Sequence, residues 1–154
     1  MEIININSHE NLKKFEDNKD NKNKPLMILF YSDLCGHCNA MKDEWKNFLD
    51  KVKINMKKKN ILVVDVESNY LNELDSNITK HVRGFPTIFF VNNNKIVEFS
   101  GKRDTSSMYS FLVKNLKNNK ITNGGSKKRK KRSIKRSKKK VLKRHKKSKK
   151  LYKK

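Results

Sequence analysis

Several residue types are scarce in this sequence, and each scarcity excludes a class of structure. Only two of the 154 residues are cysteines, too few for a zinc site with four cysteine ligands. No apolar run approaches the length needed to cross a bilayer. Residues 127–154 contain no Asp or Glu and one aromatic residue, Tyr152, so this segment offers neither a packed core nor a platform for stacking bases.

Charge divides the chain into two unlike parts. Residues 127–154 carry 19 Lys or Arg, and subtracting them from the formal net charge of +24 leaves +5 for residues 1–126. Repulsion among so many like charges predicts an extended, disordered tail. Residues 119–126 contain two glycines and few apolar side chains, as is typical of a flexible linker. We therefore predict a folded domain over 1–118, a linker over 119–126 and a basic tail over 127–154.

The folded part alternates between short apolar runs and stretches with helical periodicity. The predicted strands cover residues 1–7, 26–32, 61–66, 87–92 and 95–100. The predicted helices begin near His9, just after the two cysteines, near Tyr70 and at Thr105. This order, β-α-β-α-β-α-β-β-α, predicts an α/β fold in which helices flank a mixed central sheet.

Cys35 and Cys38 stand where the apolar strand 26–32 gives way to a helix. Two cysteines at this spacing and junction are typical of a redox dithiol. At a helix N-terminus, unpaired N–H groups and the helix dipole favour the thiolate of the first cysteine, and the second lies close enough to attack a mixed disulfide. An imidazolium at His37 would favour that thiolate further, so we assign a redox-tuning role to His37 and to Gly36 beside it.

The competing interpretation is half of a zinc site. Structural zinc needs four ligands, commonly two cysteine pairs or one pair with two closely spaced histidines. No second pair exists, and His9, His81 and His145 are scattered without ligand spacing. The ligand count favours the dithiol, and neither a metal nor a cofactor is expected.

Three segments together resemble a known family. They are Phe-Tyr at 30–31, Cys-Gly-His-Cys at 35–38, and Val-Arg-Gly-Phe-Pro-Thr-Ile-Phe-Phe at 82–90. In this order they resemble a thioredoxin-fold domain of the protein disulfide isomerase type, over about residues 2–117. The resemblance implies a thioredoxin fold and thiol–disulfide oxidoreductase activity on protein disulfides or dithiols.

The resemblance also implies roles for individual residues. Cys35 would be the nucleophile and Cys38 the resolving thiol. Pro86 would be a cis-proline, and the backbone of Phe85 would pair with an extended substrate segment. The residues alone favour a trans proline at the start of a strand, so the cis bond is predicted by the resemblance only. Arg103 resembles an arginine that moves toward the second cysteine and lowers its pKa, the alternative being an ordinary surface arginine.

Three positions depart from the family pattern. The family usually has a buried Asp or Glu six residues before the first cysteine, which accepts the proton of the second cysteine. Here that position is Leu29, and no carboxylate replaces it within the strand. Leu34 stands where the family commonly has tryptophan, and Asp43 where it usually has a helix-kinking proline. Dithiol chemistry should survive these changes, whereas its rate and direction are open.

The basic run from Lys127 to Lys154 fits a nuclear import signal, a nucleic-acid-binding tail, or attachment to an anionic membrane or polymer. A tail that serves only solubility is the alternative. We expect contact with nucleic acid or another polyanion without sequence specificity, because many mobile cations release many counterions.

Two classes of function therefore stand. One is a thiol–disulfide oxidoreductase, expected to be monomeric, that its tail localises. The other is a polyanion-binding protein that uses a thioredoxin-like scaffold with a regulatory disulfide. The N-terminal residues do not resemble a signal peptide. We therefore expect a cytoplasmic or nuclear protein, or one packaged in a virion.

Overall fold

The computed structural model describes residues 1–17 and 24–118. Residues 1–115 form one compact unit, and a second begins at Leu116, of which only the first three residues are described. The predicted linker 119–126 and the predicted tail 127–154 lie outside the described residues, so this division of the chain stays a prediction. No helix in the described part is both long and apolar enough to cross a membrane.

Five strands and four helices follow one another along the described chain. The strands are β1 (Glu2–Ile6), β2 (Leu26–Tyr31), β3 (Leu62–Glu67), β4 (Thr87–Asn92) and β5 (Lys95–Glu98). The helices are α1 (His9–Asp17), α2 (Gly36–Asn55), α3 (Ser76–Thr79) and α4, which covers residues 105–118, and a 3₁₀ helix occupies Ser68–Glu73. The order agrees with the order predicted from the sequence.

The strands form one mixed sheet in the order β1-β3-β2-β4-β5. β3 runs parallel to both β1 and β2, whereas β4 runs antiparallel to β2 and β5 antiparallel to β4. The predicted thioredoxin fold, with helices flanking a mixed central sheet, is confirmed.

Alternation along the strands gives the sheet two faces. Side chains on the first, which we call the apolar face, belong to one hydrophobic cluster with α1. Its buried members are Ile6, Leu12, Leu26, Ile28, Phe30, Leu62, Val64, Val66 and Phe89. The intervening residues of β2 and β3 point to the opposite face. Because Leu29 pairs with Asp65 and Tyr31 with Glu67 across parallel strands, this second face, which we call the polar face, carries two carboxyl groups.

The helix predicted near Tyr70 is wrong as a single element. In its place lie the 3₁₀ helix and the short α3. Each begins at a carboxylate that binds a backbone N–H: Glu67 accepts from Asn69 N at 2.7 Å, and Asp75 accepts from Asn77 N at 2.9 Å. Two such side-chain caps in succession start two short helical segments where apolar spacing alone predicted one.

Asn93 and Asn94 make the tight turn between β4 and β5. Their φ angles are 48° and 62°, in the left-handed region that asparagine tolerates better than most residues. This confirms the hairpin predicted at the three asparagines. β5 ends at Glu98, two residues before the predicted limit.

Candidate active site

Cys35 is the residue at which the chain turns from loop into helix. Its backbone is extended, with φ −89° and ψ 114°, and it is the N-cap of α2. Its carbonyl oxygen accepts from Cys38 N and Asn39 N, both at 3.0 Å, and its own N–H donates to Ser32 O at 3.0 Å. This turn places the Cys35 sulfur at the positive end of α2, as its position in the sequence predicts.

The two thiols are free and differ in environment. Cys38 is only 6% exposed, and burial, followed by the hydrogen bond with Cys35, raises its pKa to about 11. Cys35 is half-buried, and its pKa is lowered from the ordinary value. A pair with opposed shifts has one member that ionises readily and one that keeps its proton.

The hydrogen bond donated by the Cys38 thiol does most to lower the pKa of Cys35, and the Cys38 backbone N–H adds to it. The backbone N–H of His37 and the charge of Arg103 contribute less. The exposed imidazole of His37 is not among the causes. The pKa of Cys35 is lowered, as the sequence predicts, but His37 lowers it through its backbone N–H and not through an imidazolium.

The Phe85–Pro86 segment lies against the nucleophilic sulfur. The peptide bond between these residues is cis, so the isomer predicted from the resemblance is confirmed. Cys35 Sγ donates to the carbonyl oxygen of Phe85 at 3.4 Å. Pro86 is buried, and Phe85 is half-buried and packs against the hydrophobic cluster of the apolar face.

Arg103, in the loop before α4, is the last residue of the site. One of its guanidinium N–H groups donates to Pro86 O at 3.2 Å. Its charge lowers the pKa of both Cys35 and Cys38, although for Cys38 burial outweighs this effect. The structure thus brings the arginine singled out in the sequence to the dithiol.

The rim of the site is exposed. Leu34, directly before the first cysteine, is 98% exposed. Gly36 is also exposed, and a Cβ added there would meet no atom within 4 Å. Packing therefore does not require glycine at this position, and the tuning role predicted for Gly36 stays a prediction.

Sequence reasoning missed Asp65, a carboxyl group on the polar face. It is 7% exposed, and burial raises its pKa to about 6, against a smaller opposing effect of the Trp45 indole N–H. Asp65 pairs in register with Leu29, the position at which the family usually places its acid. The signal was present as one Asp inside the apolar run 61–66.

The charge of Asp65 also affects the pKa of Tyr31. Burial, then the charges of Asp65, Asp33 and Glu67, raise the pKa of Tyr31 to about 12. The polar face thus holds several ionisable groups, and the pKa values of Tyr31 and Asp65 are both raised. Among residues 1–17 and 24–118, no three His, Cys, Asp or Glu side chains lie together in a way that could hold a metal ion.

Comparison with known proteins identifies the family. The family model described as thioredoxin matches residues 6–114, well over half of the chain. The chain belongs to the thioredoxin family. The matched thioredoxin domain contains both cysteines, the Phe85–Pro86 segment and Arg103.

Curated relatives place the domain near protein disulfide isomerases. A probable protein disulfide-isomerase ER-60 from Schistosoma mansoni is 30% identical over 103 residues, which are 65% of this chain and 20% of that protein. Protein disulfide-isomerase A3 from Gallus gallus is 29% identical over 103 residues, 65% of this chain and 19% of that protein. The chain thus spans about a fifth of the length of these relatives.

A solved structure has the same fold. The first thioredoxin domain of mouse protein disulfide-isomerase A4 superposes with a TM-score of 0.51 at 22% identity. The superposition covers 73% of this chain and 72% of that one. At this identity the likeness concerns the fold alone.

Proposed function

We propose that this chain is a thiol–disulfide oxidoreductase of the protein disulfide reductase or isomerase type. The observation that carries the proposal is the opposed pKa displacement within one dithiol, lowered at Cys35 and raised to about 11 at Cys38. A nucleophile that ionises readily, beside a partner that keeps its proton until needed, is the arrangement that dithiol exchange requires.

In the reductive direction, the Cys35 thiolate attacks one sulfur of a substrate disulfide. The substrate S–S bond breaks, the other sulfur leaves and takes up a proton, and a mixed disulfide joins Cys35 to the substrate. Cys38 then loses its proton and attacks the Cys35 sulfur, and the second substrate sulfur leaves as a thiol. Two electrons have passed from the dithiol to the substrate, and the reverse sequence oxidises a substrate dithiol.

The open rim favours disulfides in proteins as substrates. Leu34 offers a fully exposed apolar side chain, and the Phe85 carbonyl oxygen lies beside the partly exposed Cys35 sulfur. We assign Phe85 and Pro86 to the substrate-facing edge, where an extended segment can pair with the Phe85 backbone. The charge of Arg103 would stabilise the thiolate of either cysteine as exchange proceeds.

The test compares Cys35→Ser and Cys38→Ser in the full-length chain with a disulfide-bonded peptide as substrate. We expect Cys35→Ser to abolish exchange, since no nucleophile remains. Cys38→Ser should form a mixed disulfide with the peptide that persists, because its resolving thiol is missing, and mass spectrometry would detect it. Exchange at the wild-type rate in Cys35→Ser would overturn the proposed function.

The composition of the tail supports a second activity. We propose that Lys127 to Lys154 bind polyanions such as duplex DNA, and that residues 1–118 carry the exchange chemistry. A chain cut after residue 120 should keep exchange activity and lose DNA affinity. Full-length affinity should fall with salt by a log–log slope of about −0.9 per phosphate neutralised. Unchanged affinity after truncation would place the basic surface on the thioredoxin domain instead.

A polyanion-binding protein with a regulatory disulfide is the alternative. It predicts that Cys35 and Cys38 form a disulfide that alters DNA affinity while peptide disulfides are exchanged no faster than by a simple thiol. The peptide assay and a DNA titration under oxidising and reducing conditions separate the two functions.

A further inference from the structure

One side chain of α2 holds the first residue of α4. The carboxylate of Glu44 accepts from the backbone N–H of Thr105 at 2.7 Å and from its hydroxyl at 2.6 Å. The same hydroxyl lies 3.0 Å from the Glu44 carbonyl oxygen. These bonds join residues 61 positions apart, and they lower the pKa of Glu44, so its carboxylate is ionised at neutral pH.

Both residues of this link lie a few positions along the sequence from a residue of the site. Glu44 follows Cys38 by six residues on α2, and Thr105 follows Arg103 by two. The side chain of Arg103 is exposed and reaches Pro86 O through one hydrogen bond of 3.2 Å. One partly buried hydrogen bond contributes little against the rotamer freedom of a long side chain, so the backbone that carries Arg103 has to be fixed by other means.

We propose that Glu44 is a positioning residue, which, by binding Thr105, holds Arg103 beside Cys35 and Cys38. The proposal rests on the proposed exchange function and adds a residue to its machinery. α2 carries the cysteines, and Glu44 on the same helix fixes the start of α4. The guanidinium then reaches the Phe85–Pro86 segment that faces the sulfur. When the link is cut, the loop before α4 is released and the guanidinium spends its time in solvent.

Asp104 shows what an ordinary helix cap does at the same place. Its carboxylate accepts from Ser107 N at 2.7 Å and from the Ser107 hydroxyl at 3.0 Å. Both bonds stay within the first turn of α4 and do not reach α2. Ser107→Ala is therefore a matched control, because it removes a hydroxyl contact at the same helix end and leaves the Glu44–Thr105 link intact.

The experiment measures iodoacetamide alkylation of Cys35 against pH in the full-length reduced chain. Peptide mass spectrometry identifies the first cysteine labelled. We expect Glu44→Ala and Thr105→Val to raise the Cys35 pKa as Arg103→Ala does. The expected change is about half a unit, or about a threefold loss of reactivity at neutral pH. Thr105→Ser, which keeps the hydroxyl, and Ser107→Ala should titrate like the wild type.

A double variant separates positioning from general stability. In the Arg103→Ala background, Glu44→Ala should leave the Cys35 titration unchanged, since the group it positions is already gone. A further shift in that background would overturn the proposal. An equal shift in Ser107→Ala, or no shift in Arg103→Ala, would overturn it too. Thr105→Val keeps the test decisive if Glu44→Ala does not fold.

The readout is independent of the proposed function. Alkylation requires no protein substrate, so it reports the environment of Cys35 whether or not the chain exchanges disulfides. A wild-type chain that titrates as expected but exchanges no peptide disulfide would refute the oxidoreductase proposal alone. A chain that exchanges disulfides and keeps its Cys35 pKa in Glu44→Ala would refute the positioning role alone.

Discussion

The apolar face and the polar face of the sheet are built from the same strands but differ in whether they carry ionisable side chains. On the apolar face, β2 and β3 contribute only hydrocarbon side chains, all of them buried with α1. On the polar face, the same strands carry Tyr31, Asp65 and Glu67, and Trp45 of the helix that carries the cysteines affects the pKa of Asp65. Burial without ionisable groups stabilises the fold, whereas burial of carboxyl groups and thiols displaces pKa values. The polar face also buries Met27, Leu29 and Val63, so both faces stabilise the fold and only one of them also carries ionisable groups.

The largest change in stability is expected from a substitution on the apolar face. Phe30 is 1% exposed, and its ring lies 6.0 Å from that of Phe89, so Phe30→Ala removes a fully buried ring. We predict a loss of about 3–5 kcal/mol in the free energy of unfolding, measured by denaturant titration. The Cys35 alkylation profile should stay unchanged wherever the variant is folded.

Ile54→Ala is the matched control, because Ile54 is a large apolar residue that is 79% exposed. Its substitution should change stability by less than about 0.5 kcal/mol. If Phe30→Ala cost no more than Ile54→Ala, burial on the apolar face would not contribute to the stability of the fold.

A smaller change, a gain in stability, is expected from a substitution on the polar face. The pKa of Asp65 is about 6 in the folded state and near 3.8 when unfolded. Because folding favours the protonated form, the stability that Asp65 contributes is fully present below about pH 3.8 and is lost as the pH rises through about 6. We predict that Asp65→Asn is more stable than the wild type at pH 7, by on the order of 2 kcal/mol, and that this advantage shrinks at pH 4.

Unfolding free energies of wild type and variant at both pH values measure this difference. Asp43→Asn, an exposed carboxylate on α2, is the control and should change stability little at either pH. A wild type that loses no stability relative to Asp65→Asn between pH 4 and pH 7 would show that Asp65 does not ionise in a buried site.

The smallest expected effect is a change in the Cys35 pKa that distinguishes the backbone N–H of His37 from its imidazole. The backbone N–H of this residue lowers the Cys35 pKa, and the exposed imidazole does not contribute. His37→Pro, which removes the N–H, should raise the Cys35 pKa, and His37→Ala should leave it nearly unchanged. Alkylation against pH measures both variants. An equal rise in the two would restore the imidazolium mechanism that the sequence suggested.

The fold was predictable because its signals are local. Apolar runs, helical periodicity and the three asparagines predicted the order of elements and the hairpin. The helix near Tyr70 failed because periodicity does not reveal the side-chain caps at Glu67 and Asp75. Local patterns describe which residues are buried better than they describe where a helix is interrupted.

The site was predictable in part for the same reason. The dithiol is a contiguous motif, whereas the buried acid is not. The strand containing Leu29 has no carboxylate, and Asp65 becomes its neighbour only through the parallel register of β2 and β3. The Glu44–Thr105 link likewise joins distant parts of the chain. Contacts of this kind depend on tertiary packing, which residue spacing in one sequence does not specify.

The two residues between the cysteines have a consequence for how such a domain evolves. Gly36 and His37 are both exposed, and no atom would obstruct a side chain at Gly36. Substitutions at these two exposed positions leave the packing behind the dithiol undisturbed. The sequence of the turn can therefore vary while the scaffold stays intact. If the turn has the redox-tuning role predicted for it, such variation would shift the reduction potential of the dithiol without any change of fold.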